Sequence, residues 1–170
     1  YKICPNEKLL ALTIDTSGAE LYKLIVKDIK TGEILDDHLS NLDGSVEWAN
    51  DNKTLFYTVL DKAHRSYQLW RHELGNEQSD DVLVFQEDDD RFSVGLHRTK
   101  SGEFLKMDLE SQITTEVYLL DRNDPFGEWQ LVQPREQGVE YYVYQRGDYL
   151  YQITDKDAIN FKMIRTTLKD

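Results

Sequence analysis

The sequence predicts an all-β fold, and three observations carry that expectation. Short runs rich in β-branched and aromatic residues alternate apolar with polar positions, as in Tyr67-Gln68-Leu69-Trp70 and Val82-Leu83-Val84-Phe85. Asn, Asp and Gly fill the breaks between these runs, where they tolerate positive φ or hydrogen-bond their own backbone. No segment of helical periodicity is longer than two turns.

The runs also repeat. Lys8-Leu9-Leu10-Ala11-Leu12-Thr13 aligns with Lys53-Thr54-Leu55-Phe56-Tyr57-Thr58 at an offset of 45 residues, and the same offset carries Tyr22-Lys23-Leu24 onto Tyr67-Gln68-Leu69. A third copy, Thr99-Lys100-Ser101-Gly102-Glu103-Phe104-Leu105, falls about 49 residues after Asn50-Asp51-Asn52-Lys53-Thr54-Leu55. Gly147-Asp148-Tyr149-Leu150-Tyr151 follows Gly102-Glu103-Phe104-Leu105-Lys106 by 45. A repeated four-stranded antiparallel unit of this length is the signature of a β-propeller blade. The rival, one large β-sandwich, predicts no fixed repeat of whole four-strand units.

Taken in order, the first blade (1–44) opens on a stub of inner strand, Tyr1–Ile3. The second (45–91) holds strands Ser45–Ala49, Thr54–Leu60, Tyr67–Leu74 and Asp81–Gln86, with the turn Asn50-Asp51-Asn52-Lys53 and the loop Asp61–Ser66. The third covers 92–138. The fourth (139–170) stops after Phe161–Leu168 without a fourth strand. Residues 1–170 are therefore expected to form a partial β-propeller domain, about four blades of a larger ring. A start without Met, inside a strand, predicts a piece cut from a longer protein.

Composition narrows the function. In 170 residues, 39% hydrophobic and 31% charged, there is material for a core and too much apolar content for a disordered polyelectrolyte. A formal charge of −12 repels nucleic-acid phosphates unless a local basic stripe exists, and the sequence suggests none. Cys4, the single cysteine, excludes an internal disulfide and a four-cysteine zinc cluster, and makes a reducing compartment the default. No apolar run approaches the roughly 20 residues of a membrane span, and the first residues lack the apolar stretch of a signal peptide. A soluble, cytoplasmic protein is expected, with no membrane or nucleic-acid partner.

Candidate chemical residues are few. His38, His64, His72 and His97, with Cys4, form no zinc or Cys/His nucleophile pattern and read as solvated or blade-edge side chains. The run Glu87-Asp88-Asp89-Asp90 lacks the alternating Asp-x-Asp-x-Asp-Gly pattern of a calcium loop and reads as a solvated connection. Arg146-Gly147-Asp148 occupies the repeat position of a hairpin turn, so turn chemistry explains it. Asn52-Lys53-Thr54 is a formal glycosylation acceptor in a chain with no visible secretory signal. Trp48, Trp70 and Trp129 are expected to pack between blades. His64 and Arg65, in an exposed loop, are the candidates for contact with another domain. No metal or cofactor is expected.

Several motifs, in order and spacing, then carry a resemblance along essentially the whole chain. They are Asp15-Thr16-Ser17-Gly18; Val26-Lys27-Asp28 with Thr31-Gly32-Glu33; Trp48-Ala49-Asn50-Asp51-Asn52-Lys53-Thr54-Leu55-Phe56-Tyr57; Leu69-Trp70-Arg71-His72 with Leu74-Gly75; and Pro134-Arg135-Glu136 with Gly138. The chain closely resembles the propeller of the prolyl oligopeptidase family of serine peptidases, in its oligopeptidase B (protease II) group. It departs from the family at Lys106-Met107-Asp108-Leu109-Glu110, where a small, hydroxyl-rich stretch is common.

The resemblance implies a seven-bladed propeller that caps an α/β-hydrolase domain, limits access to short peptides and serves cleavage after Arg or Lys. Its partners are then the parent's own hydrolase domain and short basic peptides, with Glu87, Asp88, Asp89 and Asp90 as candidates for steering the latter. The family's Ser-Asp-His triad belongs to the hydrolase domain. This sequence contains no Gly-x-Ser-x-Gly elbow, so no catalytic residue is assigned in it. The alternative is a propeller that scaffolds protein interactions without a peptidase, since propellers host many unrelated functions.

Overall fold

In the computed structural model, which describes residues 1–168, fourteen strands account for every regular element except a single 3-10 turn, Gln78–Asp80. All the strand pairs are antiparallel. Strands β1 (Lys2–Ile3), β2 (Leu9–Ile14), β3 (Tyr22–Asp28), β4 (Ile34–Trp48), β5 (Thr54–Leu60), β6 (Ser66–Glu73) and β7 (Val82–Gln86) form one sheet in chain order. A second sheet holds β8 (Ser93–Arg98), β9 (Phe104–Glu110), β10 (Thr115–Asp121) and β11 (Gln130–Gln133). The third holds β12 (Tyr141–Arg146), β13 (Tyr149–Thr154) and β14 (Lys162–Thr167). The all-β propeller expectation holds, and no helix among the described residues is long and apolar enough to cross a membrane.

One element departs from expectation. The expected inner strand Ser45–Ala49 is the second half of β4, a 15-residue strand whose first half closes on β3. Asn41, Asp43 and Gly44 are residues that favour turns, yet buried Leu42 between them pairs with Tyr22 on one side and Val59 on the other, so the chain bends without leaving the sheet. Gly44 makes the bend possible. It sits at φ +103°, and a Cβ there would lie 3.2 Å from the Tyr22 ring. The bend folds the two halves of the sheet face to face.

The period of two along each strand assigns side chains to neighbours. On β5, Leu55 and Tyr57 join a core with Ala11, Leu24, Val26, Leu39 and Trp48, while Phe56 turns to a second core with Leu69, Val94, Leu105, Met107 and Leu109. On β10, Leu120 joins that second core, and Val117 and Leu119 meet Tyr141, Val143 and Leu150 in a third. Each interface thus holds an apolar layer, in which a fully buried large side chain is worth about 1.5–3 kcal/mol. The three tryptophans follow this pattern. Trp48 is buried and donates Nε1–H to the Lys2 carbonyl at 3.0 Å. Trp70 packs against the first core, and Trp129 meets Phe56 edge-on at 5.8 Å.

The repeat is visible in the backbone too. The turns after the first strand of each copy hold Glu7, Asn52, Gly102 and Gly147 at φ +60°, +62°, +78° and +56°. Arg146-Gly147-Asp148 is such a turn. The first three turns also reach the next copy: Asn52 Oδ1 accepts from the Asn6 N–H at 2.7 Å, Asn50 donates Nδ2–H to Asn123 at 3.0 Å, and Ser101 bonds Gln145.

Candidate functional site

Two polar assemblies interrupt the apolar layers. The first lies in the joint of the seven-stranded sheet. His72 occupies the face of β6 that also carries Trp70, and its side chain is fully buried. Its Nδ1 lies 2.6 Å from Asp81 Oδ1 and its Nε2 lies 3.2 Å from Asp37 Oδ1. Asp37 belongs to β4 and is itself buried. Tyr57 donates its hydroxyl to Asp81 Oδ2 at 2.7 Å, and the Gly75 N–H donates to Asp37 at 2.5 Å. Burial disfavours a proton on the ring, but the hydrogen bonds and charges of Asp81 and Asp37 outweigh it and raise the His72 pKa above its ordinary value. The network ties the two halves of the sheet by charge. Expected to be solvated or at a blade edge, His72 is instead interior; His38, His64 and His97 are exposed.

The second assembly binds loops at one rim. Arg65 donates Nε–H to Asp61 at 2.9 Å and Nη1–H to the carbonyls of Asp89 and Phe92 at 2.9 and 2.8 Å. The loop 61–65 is thereby fastened to the connector 87–92. Arg135, from the connector between the second and third sheets, pairs with Glu87 at 2.6 Å and Glu116 at 3.2 Å, and its guanidinium sits 4.0 Å over the Phe92 ring. Tyr118 adds a hydroxyl to Glu116 at 3.0 Å. Burial opposes the Arg135 charge, and the two carboxylates outweigh it and raise its pKa. Beside this clamp lies a cavity of about 330 Å³ bounded by Arg91, Phe92, Ser111, Gln112, Ile113 and Gln137.

In both assemblies paired charges fasten strands and loops to one another. No group of three His, Cys, Asp or Glu side chains among the described residues is set to hold a metal ion. Residues 1–170 match the family model of the prolyl oligopeptidase N-terminal β-propeller domain from end to end. The chain belongs to the prolyl oligopeptidase family. This prolyl oligopeptidase propeller is 36% identical over 171 residues to Protease 2 of Moraxella lacunata, covering 99% of the chain and 25% of that protein. It is 34% identical over 166 residues to dipeptidyl aminopeptidase BI of Pseudoxanthomonas mexicana, covering 96% of the chain and 23% of that protein. The structure of oligopeptidase B from Leishmania major superposes with a TM-score of 0.90 at 30% identity, over 98% of this chain and 24% of that one. The chain spans about a quarter of the length of these relatives.

Within the propeller the acidic run divides. Glu87, 6% exposed, is held by Arg135, and Asp89 is paired with Arg91, whose hydrogen bonds bring its carboxyl down to about 2. Asp88 is exposed and accepts from the Gln86 amide at 2.7 Å. Asp90 is exposed, with no hydrogen bond or ion pair among the described residues. His64 is exposed at the tip of its loop with φ +61°, whereas the Arg65 guanidinium is engaged internally. Sequence reasoning missed Asp37, Asp81 and the role of Arg135. The available signal was the register: Asp37 falls on the β4 face of Leu39, and His72 on the β6 face of Trp70, where an alternating strand points inward.

Proposed function

We propose that the chain is the non-catalytic, substrate-gating propeller of an oligopeptidase B-like serine peptidase, which admits short peptides to an α/β-hydrolase domain elsewhere in the parent protein and cleaves them after Arg or Lys. The observation that carries this reading is the likeness along the whole chain to proteins named as peptidases, joined to a TM-score of 0.90 with an oligopeptidase B. The apolar cores shared between neighbouring sheets support it, because a filter by size needs walls whose blades pack against one another. Blade limits at 1–44, 45–91, 92–138 and 139–170, a cytoplasmic setting and a contact of His64 with the hydrolase domain belong to the same proposal. Arg65 would support that contact by fixing the loop.

The net charge of −12 supports attraction of cationic peptides. Asp88 and Asp90 would carry most of the acidic run's share, since Glu87 and Asp89 are neutralised within the chain. The test uses the full-length parent and one Arg-containing sequence, offered as a short peptide and as an exposed loop of a stable folded protein. The peptide is expected to be cleaved and the loop spared. Equal cleavage of both would overturn gating, and a parent without a Gly-x-Ser-x-Gly elbow downstream would leave the interaction scaffold.

A further inference from the structure

The outer edges of the three sheets are not alike. Where a sheet ends in an unpaired row of N–H and C=O groups, proteins shield it with charge, proline, a short strand or a covering loop. The first half of β4 is covered, because Gln78 accepts from the Ser40 N–H at 3.0 Å and donates to the Ser40 carbonyl at 3.0 Å. β11 is four residues long and runs straight into Pro134, and β14 carries Lys162 and Arg165. β7 has none of these. It reads Val82-Leu83-Val84-Phe85-Gln86, it is the last strand of the seven-stranded sheet, and among the described residues only β6 pairs with it. Its one irregularity is a bulge at Val84, which falls between the partners of Leu69 and Trp70.

This edge is accessible and apolar. Val82 is 45% exposed and Leu83 is 42% exposed, paired with Arg71 and Trp70 on the two faces of the sheet. The Glu87 N–H donates to the Tyr67 carbonyl, so by the period of two along a strand the Gln86 N–H points away from β6, to the open side. Carboxylates stand at both ends. Asp80, just before the strand, is exposed and makes no side-chain hydrogen bond or ion pair among the described residues. Asp88, just after it, is exposed and accepts from the Gln86 amide alone among them.

Those charges select the occupant. A second copy pairing antiparallel about Val84 would set Asp80 of each copy opposite Asp88 of the other, two like-charge pairs in one short ladder. A strand with an uncharged middle and a cation at each end meets the same edge with both charges matched. We propose that the outer edge of β7 binds an extended, uncharged segment of another polypeptide flanked by Lys or Arg, adding it as an eighth strand to the seven-stranded sheet. Main-chain hydrogen bonds supply the affinity, and Val82 and Leu83 receive apolar side chains on the two faces. At about 3.3 Å per residue, Asp80 and Asp88 lie roughly 26 Å apart along an extended chain, so the matching cations stand about eight residues apart. The inference is independent of what the propeller caps.

The probe is acetyl-Lys-Thr-Val-Thr-Val-Thr-Val-Thr-Lys-amide, titrated into the full-length parent and followed by ligand-observed NMR. The parent is first treated with a serine-directed inactivator so that the probe is not cleaved; cleavage by the untreated parent remains a separate measurement. Two controls accompany it: the same peptide with Glu for both Lys, and the Lys peptide N-methylated at every Thr and Val, which keeps the charge and removes the donors. The Lys peptide is expected to bind about tenfold more tightly than the Glu peptide, on the scale of a few exposed ion pairs, with a preference that shrinks in added salt. N-methylation should weaken binding at least about tenfold, as several main-chain hydrogen bonds are lost. Hydrogen exchange should slow across 82–86 in the complex and stay unchanged across 130–133. L83K and V82K, on opposite faces, each place a cation on the edge and should weaken the Lys peptide at least about tenfold; both side chains are well exposed, so the fold should survive either change. Equal binding of the plain and N-methylated Lys peptides would overturn the proposal, because net charge alone would then hold the probe. Undiminished binding to L83K and V82K, or protection confined to segments outside 82–86, would also overturn it. Self-association of the parent that L83K abolishes, without peptide binding, would overturn it in favour of a second copy.

Discussion

At His72 a titratable ring fills a position where the rest of the layer is apolar, and its two carboxylates make the joint sensitive to pH. Its folded pKa lies above the ordinary value of 6.5, so the stability it adds is fully present below about pH 6.5 and is lost as pH rises through the raised value. Replacing it as His72→Gln leaves Asp37 and Asp81 buried without a cation, at a cost of about 3–5 kcal/mol on the scale of broken buried pairs. Calorimetric melting temperatures measured from pH 5.5 to 9.5 should show a large deficit for the variant at the acid end, narrowing toward the alkaline end. A constant deficit would mean that the ring acts by shape alone. Histidine spacing does not reveal this site in sequence, because the partners come from 35 and 9 residues away and only the folded register brings them together.

Strands were the most legible elements, and the reason is local. β5 spans the residues expected of it, and β6 and β7 differ by one residue at their ends, because alternation and turn residues act over a few positions. The extension of the expected strand Ser45–Ala49 back to Ile34 in β4 was illegible: the decisive pairing of Leu42 with both Tyr22 and Val59 is a contact across the sheet, while Asn, Asp and Gly locally favour a turn. The rim clamp is similar in kind, for Arg135 meets Glu87 across 48 positions. Arg135→Gln removes the cation from buried Glu87 and Glu116, costing about 2–3 kcal/mol, less than a fully buried pair because Arg135 is partly exposed. Hydrogen exchange should quicken in the connectors 87–92 and 134–140 and leave β9 unchanged. In the second core, Phe56→Ala should cost about 3–5 kcal/mol by opening a cavity against Trp129.

At the scale of the molecule, the four-copy repeat was legible because every copy must bury its faces against neighbours, which repeats the same pattern at the same spacing. The outer faces at the two ends follow from it. Tyr142, Tyr144, Tyr149 and Met163 stand exposed on the third sheet, and Ile3, Ile14 and Ile34 on the first half of the seven-stranded one. A polypeptide of residues 1–170 alone is therefore expected to associate, with an elution volume in size-exclusion chromatography that shifts with concentration, and to show no amidase activity on Arg or Lys chromogenic peptides. In the full-length parent, D88N/D90N should lower kcat/KM for a tribasic peptide about two- to fivefold at low salt, with little change for a singly basic one. Identical rates and salt slopes for parent and variant would leave the loop as a plain connection. The bent strand β4 has a mechanical consequence as well. One continuous backbone runs through both halves of the seven-stranded sheet, so tension on one half is carried directly into the other. Stretched in optical tweezers, residues 2–86 should rip in a single event releasing about 300 Å of contour, at up to 3.6 Å per residue, while the sheet from β8 to β11, joined to its neighbours only through loops and side chains, should yield as a separate step.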